Sequence, residues 1–318
     1  MKAWKMISAG APDVLQLTDI EQTLPAVGEV LLRVCAAGFN PIDTKIRAGI
    51  APIAPHSGVL GCDVSGIVEA VGPGVTAFAV GDAVYGLAGG VKGMQGALAE
   101  TMITDAALLA HAPVSVPLSD AAALPVAAVT AFQLAERLRI QTGDRVFVVG
   151  ASGAVGMMIT QLAVLNGAEV TGSAGDDKRK RRVVDFGGTA VLHSDATGFT
   201  QQFNKVVDTF GGPGLQTALM MAEPEGQVAT INARGEHELG AAHAKALTLH
   251  AIFSLLPLLN GHGRERIGRQ LAELAKLIDD GKLKSLPVEA VGMKEVANVH
   301  ARYERGALTE KTVLLADF

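Results

Sequence analysis

The feature that most constrains the fold is the segment Gly150-Ala151-Ser152-Gly153-Ala154-Val155-Gly156, which follows directly on the apolar run Val146-Phe147-Val148-Val149. A short continuous apolar run bounded by glycine reads as a strand buried on both faces of a parallel sheet. Beyond the glycines, Val155, Met158, Ile159 and Leu162 recur at helical spacing. Further strands are predicted from Glu169 to Gly172, Ala190 to Leu192, Val206 to Asp208, Val228 to Ile231 and Leu249 to Phe253. Six strands joined by helical crossovers describe a doubly wound parallel sheet.

The flanking segments have a different texture. Before about Ala110, short strands read from Glu29 to Val34, Gly66 to Val71 and Asp82 to Tyr85, with turns at Gly72-Pro73-Gly74 and Gly81-Asp82. Such a pattern suggests a barrel-like β domain. Helices are expected from Ser119 to Leu124 and from Val126 to Leu138, with Pro125 between them. After Gly261 a long amphipathic helix runs through Ile267, Leu271, Leu274 and Ile278 to Gly281. A second helix follows near Lys294 to Tyr303, and Thr312 to Leu315 is strand-like. The last segment matches the first in texture and is expected to return to it. Residues 1–120 and 262–318 then form a β-rich substrate domain, with a Rossmann-type domain at 121–261 inserted into it. A chain of 318 residues is long enough for two cores.

Small residues in the glycine segment have a chemical reason. A dinucleotide pyrophosphate must approach backbone N–H groups closely, and a side chain at Gly153 would block it. The free amides at the helix start then hold the negative charge. Gly150, Ala151, Ser152, Gly153, Ala154, Val155 and Gly156 are therefore expected to bind a dinucleotide. The end of the next strand selects the dinucleotide. An acid there accepts hydrogen bonds from the ribose 2′-hydroxyl of NAD, but this strand ends Thr171-Gly172-Ser173-Ala174. After Asp176-Asp177 come five consecutive bases, Lys178-Arg179-Lys180-Arg181-Arg182. Bases in a first helical turn oppose the helix dipole, and a bound 2′-phosphate would justify some of them. Ser173, Lys178 and Arg179 are assigned to that phosphate and Arg181 and Arg182 to a solvated face, which makes NADPH the expected cofactor.

Composition narrows the function further. The net charge is −5, so nucleic-acid and membrane-surface binding are not expected. No run of 18 apolar residues exists. The most tempting stretch, Ile252 to Leu259, is short and contains Pro257. The N-terminus lacks the apolar core of a signal peptide. Cys35 and Cys62 form no CxxC pair, which fits a reducing, cytoplasmic setting.

Further motifs are Gly38-Phe39-Asn40-Pro41-Ile42-Asp43-Thr44-Lys45-Ile46-Arg47-Ala48-Gly49, Leu60-Gly61-Cys62-Asp63-Val64-Ser65-Gly66 and Val80-Gly81-Asp82-Ala83-Val84-Tyr85-Gly86. Leu124-Pro125, Thr130-Ala131-Phe132 and Val207-Asp208-Thr209-Phe210-Gly211-Gly212 follow. With the glycine segment, these residues make the chain resemble the medium-chain dehydrogenase/reductase superfamily, and within it the zinc-free quinone oxidoreductase (zeta-crystallin-like) branch. The resemblance implies a β-rich GroES-like barrel interrupted by the Rossmann domain, hydride transfer from NADPH, and a homodimer. It places Asn40 near the nicotinamide ribose and Asp43 near the substrate pocket. Thr130, Asn232, Phe253 and Ser254 fall at the nicotinamide end, and His193 within reach of the 2′-phosphate. Lys311 falls where the family has a Gly-Lys pair, but Glu310 replaces the glycine, so Lys311 is expected to be exposed. Ala51 stands where many quinone reductases have a tyrosine.

Zinc-dependent relatives carry Cys at the position of Asn40, His-Glu at Cys62-Asp63, and a further ligand near Val126. Catalytic zinc needs three protein ligands, so no metal is expected and Cys62 reads as a small buried thiol. Without a Lewis acid, a quinone or an α,β-unsaturated carbonyl is the better acceptor, because conjugation spreads the incoming charge. No general acid is singled out. Two other readings stay open: a zinc-free alcohol or aldehyde reductase, and a non-catalytic NADPH-binding protein.

Overall fold

The computed structural model describes residues 1–318. The chain divides into a β-rich unit, Met1–Val126 with Leu255–Gly281 and Ser285–Phe318, and an α/β unit, Ala127–Ser254 with Lys282–Lys284.

The β-rich unit begins with β1 (Lys2–Met6), β2 (Leu15–Asp19), β3 (Glu29–Gly38), α1 (Pro41–Arg47), β4 (Asp63–Val71), β5 (Ala83–Leu87), β6 (Thr101–Asp105), β7 (Leu109–His111) and α2 (Leu118–Ala121). β1 and β2 form an antiparallel pair that sequence texture did not reveal. The long β3 is buried along most of its length, all but Glu29, Arg33 and Cys35, and pairs antiparallel with both β4 and β6. Gly38 closes β3 where a Cβ would lie 2.0 Å from the Ala122 carbonyl oxygen, so only glycine lets α2 approach.

α3 (Pro125–Leu138) leads into the α/β unit. There follow β8 (Arg145–Val149), α4 (Ala154–Leu165), β9 (Glu169–Ala174), α5 (Asp177–Asp185), β10 (Thr189–Leu192), β11 (Phe203–Asp208), α6 (Pro213–Met221), β12 (Ala222–Thr230), α7 (Gly240–Ala244) and β13 (Thr248–Ala251). The six strands are all parallel, in the order β10-β9-β8-β11-β12-β13. This is the doubly wound order, and its reversal falls between β8 and β11, where such sheets bind ligands beyond the strand ends. Phe147 of β8 and Phe203 of β11 pack with ring centroids 4.9 Å apart. Leu215, Leu219 and Ala218 of α6 cover them, and each buried leucine contributes about 1.5–3 kcal/mol.

The chain then returns to the β-rich unit with α8 (Leu256–Asn260), α9 (Arg264–Asp279), β14 (Val288–Gly292), α10 (Val296–Glu304) and β15 (Lys311–Leu315). β15 pairs antiparallel with β3, and β14 pairs parallel with β15. These pairings join the C-terminal segment to β3 by hydrogen bonds. α9 buries Ile267, Leu271, Leu274 and Ile278, the predicted stripe, and the Tyr85 hydroxyl donates to the Leu271 carbonyl at 2.6 Å. The Ile252-to-Leu259 stretch follows the end of β13 and runs into α8. Pro257 sits in the first turn of that helix, where proline is tolerated. No helix is long and apolar enough to cross a membrane.

Candidate functional site

In the α/β unit the glycine segment turns from β8 into α4. Gly150 has φ +76°, a left-handed value that favours glycine. The Ala151 N–H donates to the Ser173 carbonyl at 3.0 Å, tying the turn to β9. Gly156 packs against the turn: a Cβ there would lie 2.4 Å from the Gly150 carbonyl oxygen and 2.6 Å from Ala151 Cα. Gly153 is different. A Cβ there would meet only the Gly150 oxygen, at 3.4 Å, and φ is −77°. The fold itself tolerates a side chain at Gly153. Gly153 is also the N-cap of α4 and has no side chain to cap it, so the first-turn amides, without intrahelical acceptors, are available to an anion. These features fit a dinucleotide. Ser152 lies in the same turn, and Ala154 and Val155 open the helix.

Beside the turn, Ser173 is buried on β9. Its hydroxyl is 3.4 Å from the Gly150 N–H and 3.0 Å from His193 Nδ1. Asp176 caps α5 by accepting from the Arg179 N–H at 2.8 Å, and its carboxylate lies 3.6 Å from Arg179 Nε. Asp177 lies 3.5 Å from Lys180 Nζ in the same way, so the two acids serve both the helix end and Arg179 and Lys180 in the run. A Cβ on Gly175 would lie 3.2 Å from Arg179 Nη1 and 3.8 Å from His193 Cδ2, so both side chains converge beside Ser173. Burial, and then the Arg179 charge, hold His193 below its ordinary pKa. Lys178 stands exposed on α5, as does Arg181.

Farther along the α/β sheet, Asp208 ends β11 fully buried. Its carboxylate accepts from the Phe210 and Gly211 N–H groups and from the Thr230 hydroxyl at 2.7 Å. The Thr209 hydroxyl donates to the Val149 carbonyl at 2.8 Å. Together they fix the loop after β11 against the glycine turn, a role that sequence spacing did not show. Asn232 Nδ2 donates to the Phe210 carbonyl at 3.2 Å. Thr130 on α3 donates its hydroxyl to Ser254 Oγ at 2.9 Å, both buried, while the Phe253 side chain is 41% exposed, more than a core phenylalanine would be.

In the β-rich unit, a buried polar cluster gathers at the start of α1. Asn40 is the N-cap, and its N–H donates to Asp43 Oδ2 at 2.8 Å, one arm of a capping box. Asp43 thus does bond its own turn. It is also buried, with Cys62 Sγ 3.8 Å from its other oxygen. Burial pushes the Asp43 carboxyl up to about 7 and the Cys62 thiol well above its usual range. Asp63, fully buried, accepts from Asn40 Nδ2 and the Val126 N–H, each at 2.8 Å. Burial raises its pKa, while the nearby Lys311 ammonium opposes that shift. Lys311 is a correction to the sequence reading. Its side chain is only 5% exposed, and its ammonium donates to the Phe39 carbonyl and Asn40 Oδ1, each at 2.7 Å. The reason is the pairing of β15 with β3, which carries the lysine into the interior. Ala51, where many quinone reductases have a tyrosine, is also buried.

Comparison with known proteins agrees with this architecture. Residues 26–114 match the alcohol dehydrogenase GroES-like domain, and residues 182–314 match the zinc-binding dehydrogenase domain. The chain is 30% identical to quinone oxidoreductase of Rattus norvegicus over 253 residues, 75% of each protein. It is 32% identical over 307 residues to erythronolide synthase EryA2 of Saccharopolyspora erythraea, spanning 93% of this chain but only 8% of that protein. Among solved structures, an alcohol dehydrogenase superfamily protein from Novosphingobium aromaticivorans superposes with a TM-score of 0.92 at 33% identity, covering all of both chains. Mycobacterial Rv1454c complexed with NADPH superposes with a TM-score of 0.87 at 26% identity, covering 99% of this chain and 100% of that one. The fold is that of the two-domain dehydrogenases, a GroES-like domain with a Rossmann domain. The chain belongs to the medium-chain dehydrogenase/reductase superfamily, in its quinone oxidoreductase branch.

Proposed function

We propose that the protein is an NADPH-dependent oxidoreductase that reduces a quinone or an α,β-unsaturated carbonyl compound without a metal ion. The observation that carries the cofactor reading is Gly153, a glycine the fold does not need, at the uncapped start of α4. The NADPH complex of Rv1454c supports the choice of nucleotide. When bound, the nicotinamide supplies the hydride. The chain's own residues bind and orient. The amides at the start of α4 receive the pyrophosphate. Ser173, Arg179, His193 and Lys178 receive the 2′-phosphate. Thr130, Asn232, Phe253 and Ser254 serve the nicotinamide end, and Asn40 its ribose. Asp43 serves the substrate pocket by holding the Asn40 turn.

The metal-free reading rests on the donor set. Asn40 and Asp63, at two positions that zinc-dependent relatives use, both bond the Lys311 ammonium. A buried cation already in place repels a second. The proposed acceptor follows, since a conjugated carbonyl spreads the charge that arrives with hydride and needs less polarisation than a simple aldehyde. A homodimer is supported by the outer edge of β13, which ends the sheet and exposes Leu249. A cytoplasmic setting fits the two free cysteines. The test is NADPH oxidation across quinones, enones and aldehydes, before and after dialysis against a strong chelator. Turnover of quinones or enones that survives chelation is expected. Turnover of aldehydes alone, or activity restored specifically by zinc, would overturn the reading.

A further inference from the structure

Lys311 opens β15, and the next residue's carbonyl accepts the Phe39 N–H at 3.0 Å. The backbone therefore sets the lysine stem beside the turn that joins β3 to α1. An ammonium has three N–H groups, and three acceptors surround this one: the Phe39 carbonyl and Asn40 Oδ1 at 2.7 Å, and Asp63 Oδ2 at 3.4 Å. A lysine donates only, so it fixes which end of the Asn40 amide is oxygen. The two amide hydrogens of Asn40 are engaged as well, with Asp63 Oδ2 at 2.8 Å and the Gly38 carbonyl at 3.2 Å. An amide held in this way can only accept a further hydrogen bond. A group that meets Asn40 must donate to it, as a ribose hydroxyl does and a carbonyl does not.

We propose that Lys311 is a positioning residue for hydride transfer: its ammonium, bonded to Asn40 Oδ1 and Asp63 Oδ2, locks Asn40 as a pure acceptor from inside the β-rich unit. This rests on the function proposed above. It differs from direct contact between Lys311 and the dinucleotide, because every N–H of the ammonium already has an acceptor within its own unit.

Two measurements on the intact protein test it. In the first, asparagine is labelled with ¹⁵N and side-chain amide exchange is followed by NMR. The Asn40 protons, buried and doubly bonded, are expected to exchange at least about 100-fold more slowly than those of an exposed asparagine. Fast exchange in the wild type overturns the proposal. In the second, Lys311→Met and Lys311→Arg are compared with the wild type. Lys311→Met is expected to lower kcat at least about tenfold while the NADPH Kd stays within about twofold. Lys311→Arg, which keeps the charge, is expected to retain at least about a third of kcat. An unchanged kcat in Lys311→Met, or a tenfold rise in its NADPH Kd, overturns the proposal. If Lys311→Met does not fold, Lys311→Arg decides, and a loss of about tenfold or more in that variant overturns it. A wild type that turns over no quinone or enone defeats the functional reading instead, and the exchange measurement still decides whether Asn40 is locked.

Discussion

Replacing Gly153 with valine separates the needs of the fold from those of the ligand. A Cβ at this position meets nothing closer than the Gly150 oxygen at 3.4 Å, and the backbone, at φ −77° and ψ 168°, suits any residue. The cost to the apo protein is then the poorer N-cap, about 1 kcal/mol. In a unit of this size that lowers Tm by roughly 2–4 °C. The cost to the ligand is larger. Valine displaces the pyrophosphate from at least one or two charge-assisted N–H contacts, each worth about 1.5–3 kcal/mol. A loss near 3 kcal/mol raises the NADPH Kd by roughly 100-fold. Gly156→Val supplies the contrast. Its Cβ would lie 2.4 Å from the Gly150 oxygen and 2.6 Å from Ala151 Cα, all of it backbone, so the fold itself should suffer. The assay is NADPH titration by fluorescence beside thermal melting of the apo form. A folded Gly153→Val protein with a Kd within threefold of wild type would make the segment a structural turn only.

Other outcomes follow from the same geometry. Arg179→Ala should raise the NADPH Kd about tenfold or more and leave NADH nearly unchanged, since one charge-assisted contact to the 2′-phosphate is lost; equal losses for both would remove that assignment. His193 is held below its ordinary pKa in the free protein, by burial and then by Arg179. A 2′-phosphate beside it should raise that pKa, so NADPH binding takes up a proton and weakens as pH rises through the bound value; an NMR titration of His193 that is unmoved by NADPH counts against it. Asp43 is pushed up from 3.8 to about 7 by burial, so the folded state binds the proton more tightly than the unfolded one. Stability should therefore fall as pH rises across that window, and Asp43→Asn should flatten the fall in denaturant midpoints measured from pH 4 to 7.

The legible parts of the sequence were those set by local pattern. The β8 run, the glycine turn and the α4 stripe could be read because a buried parallel strand and a helix each leave a periodic signature. The α9 stripe and the strand-like end of the chain were readable for the same reason. Long-range pairing was not. Lys311 and Asp63 are 248 residues apart, and nothing near Lys311 in sequence shows that β15 docks on β3. The default reading of a lone lysine is exposure, and tertiary structure overrode it. Asp208 and Thr209 were visible as part of a motif, but their work in anchoring the loop after β11 depends on β8 and β12 lying alongside. In the base run, Asp176 caps α5, and the approach of His193 to Arg179 comes from the adjacency of β9 and β10.

The position of a transferred label reads out hydride transfer from NADPH to a conjugated acceptor. The protein is given NADPH carrying deuterium at the transferring position of the nicotinamide, together with an α,β-unsaturated ketone, and the product is examined by mass spectrometry and NMR. The expected product is a saturated ketone with one deuterium at the β-carbon, formed equally well after chelation. Deuterium on the carbonyl carbon of an allylic alcohol, or a product without label, would contradict it.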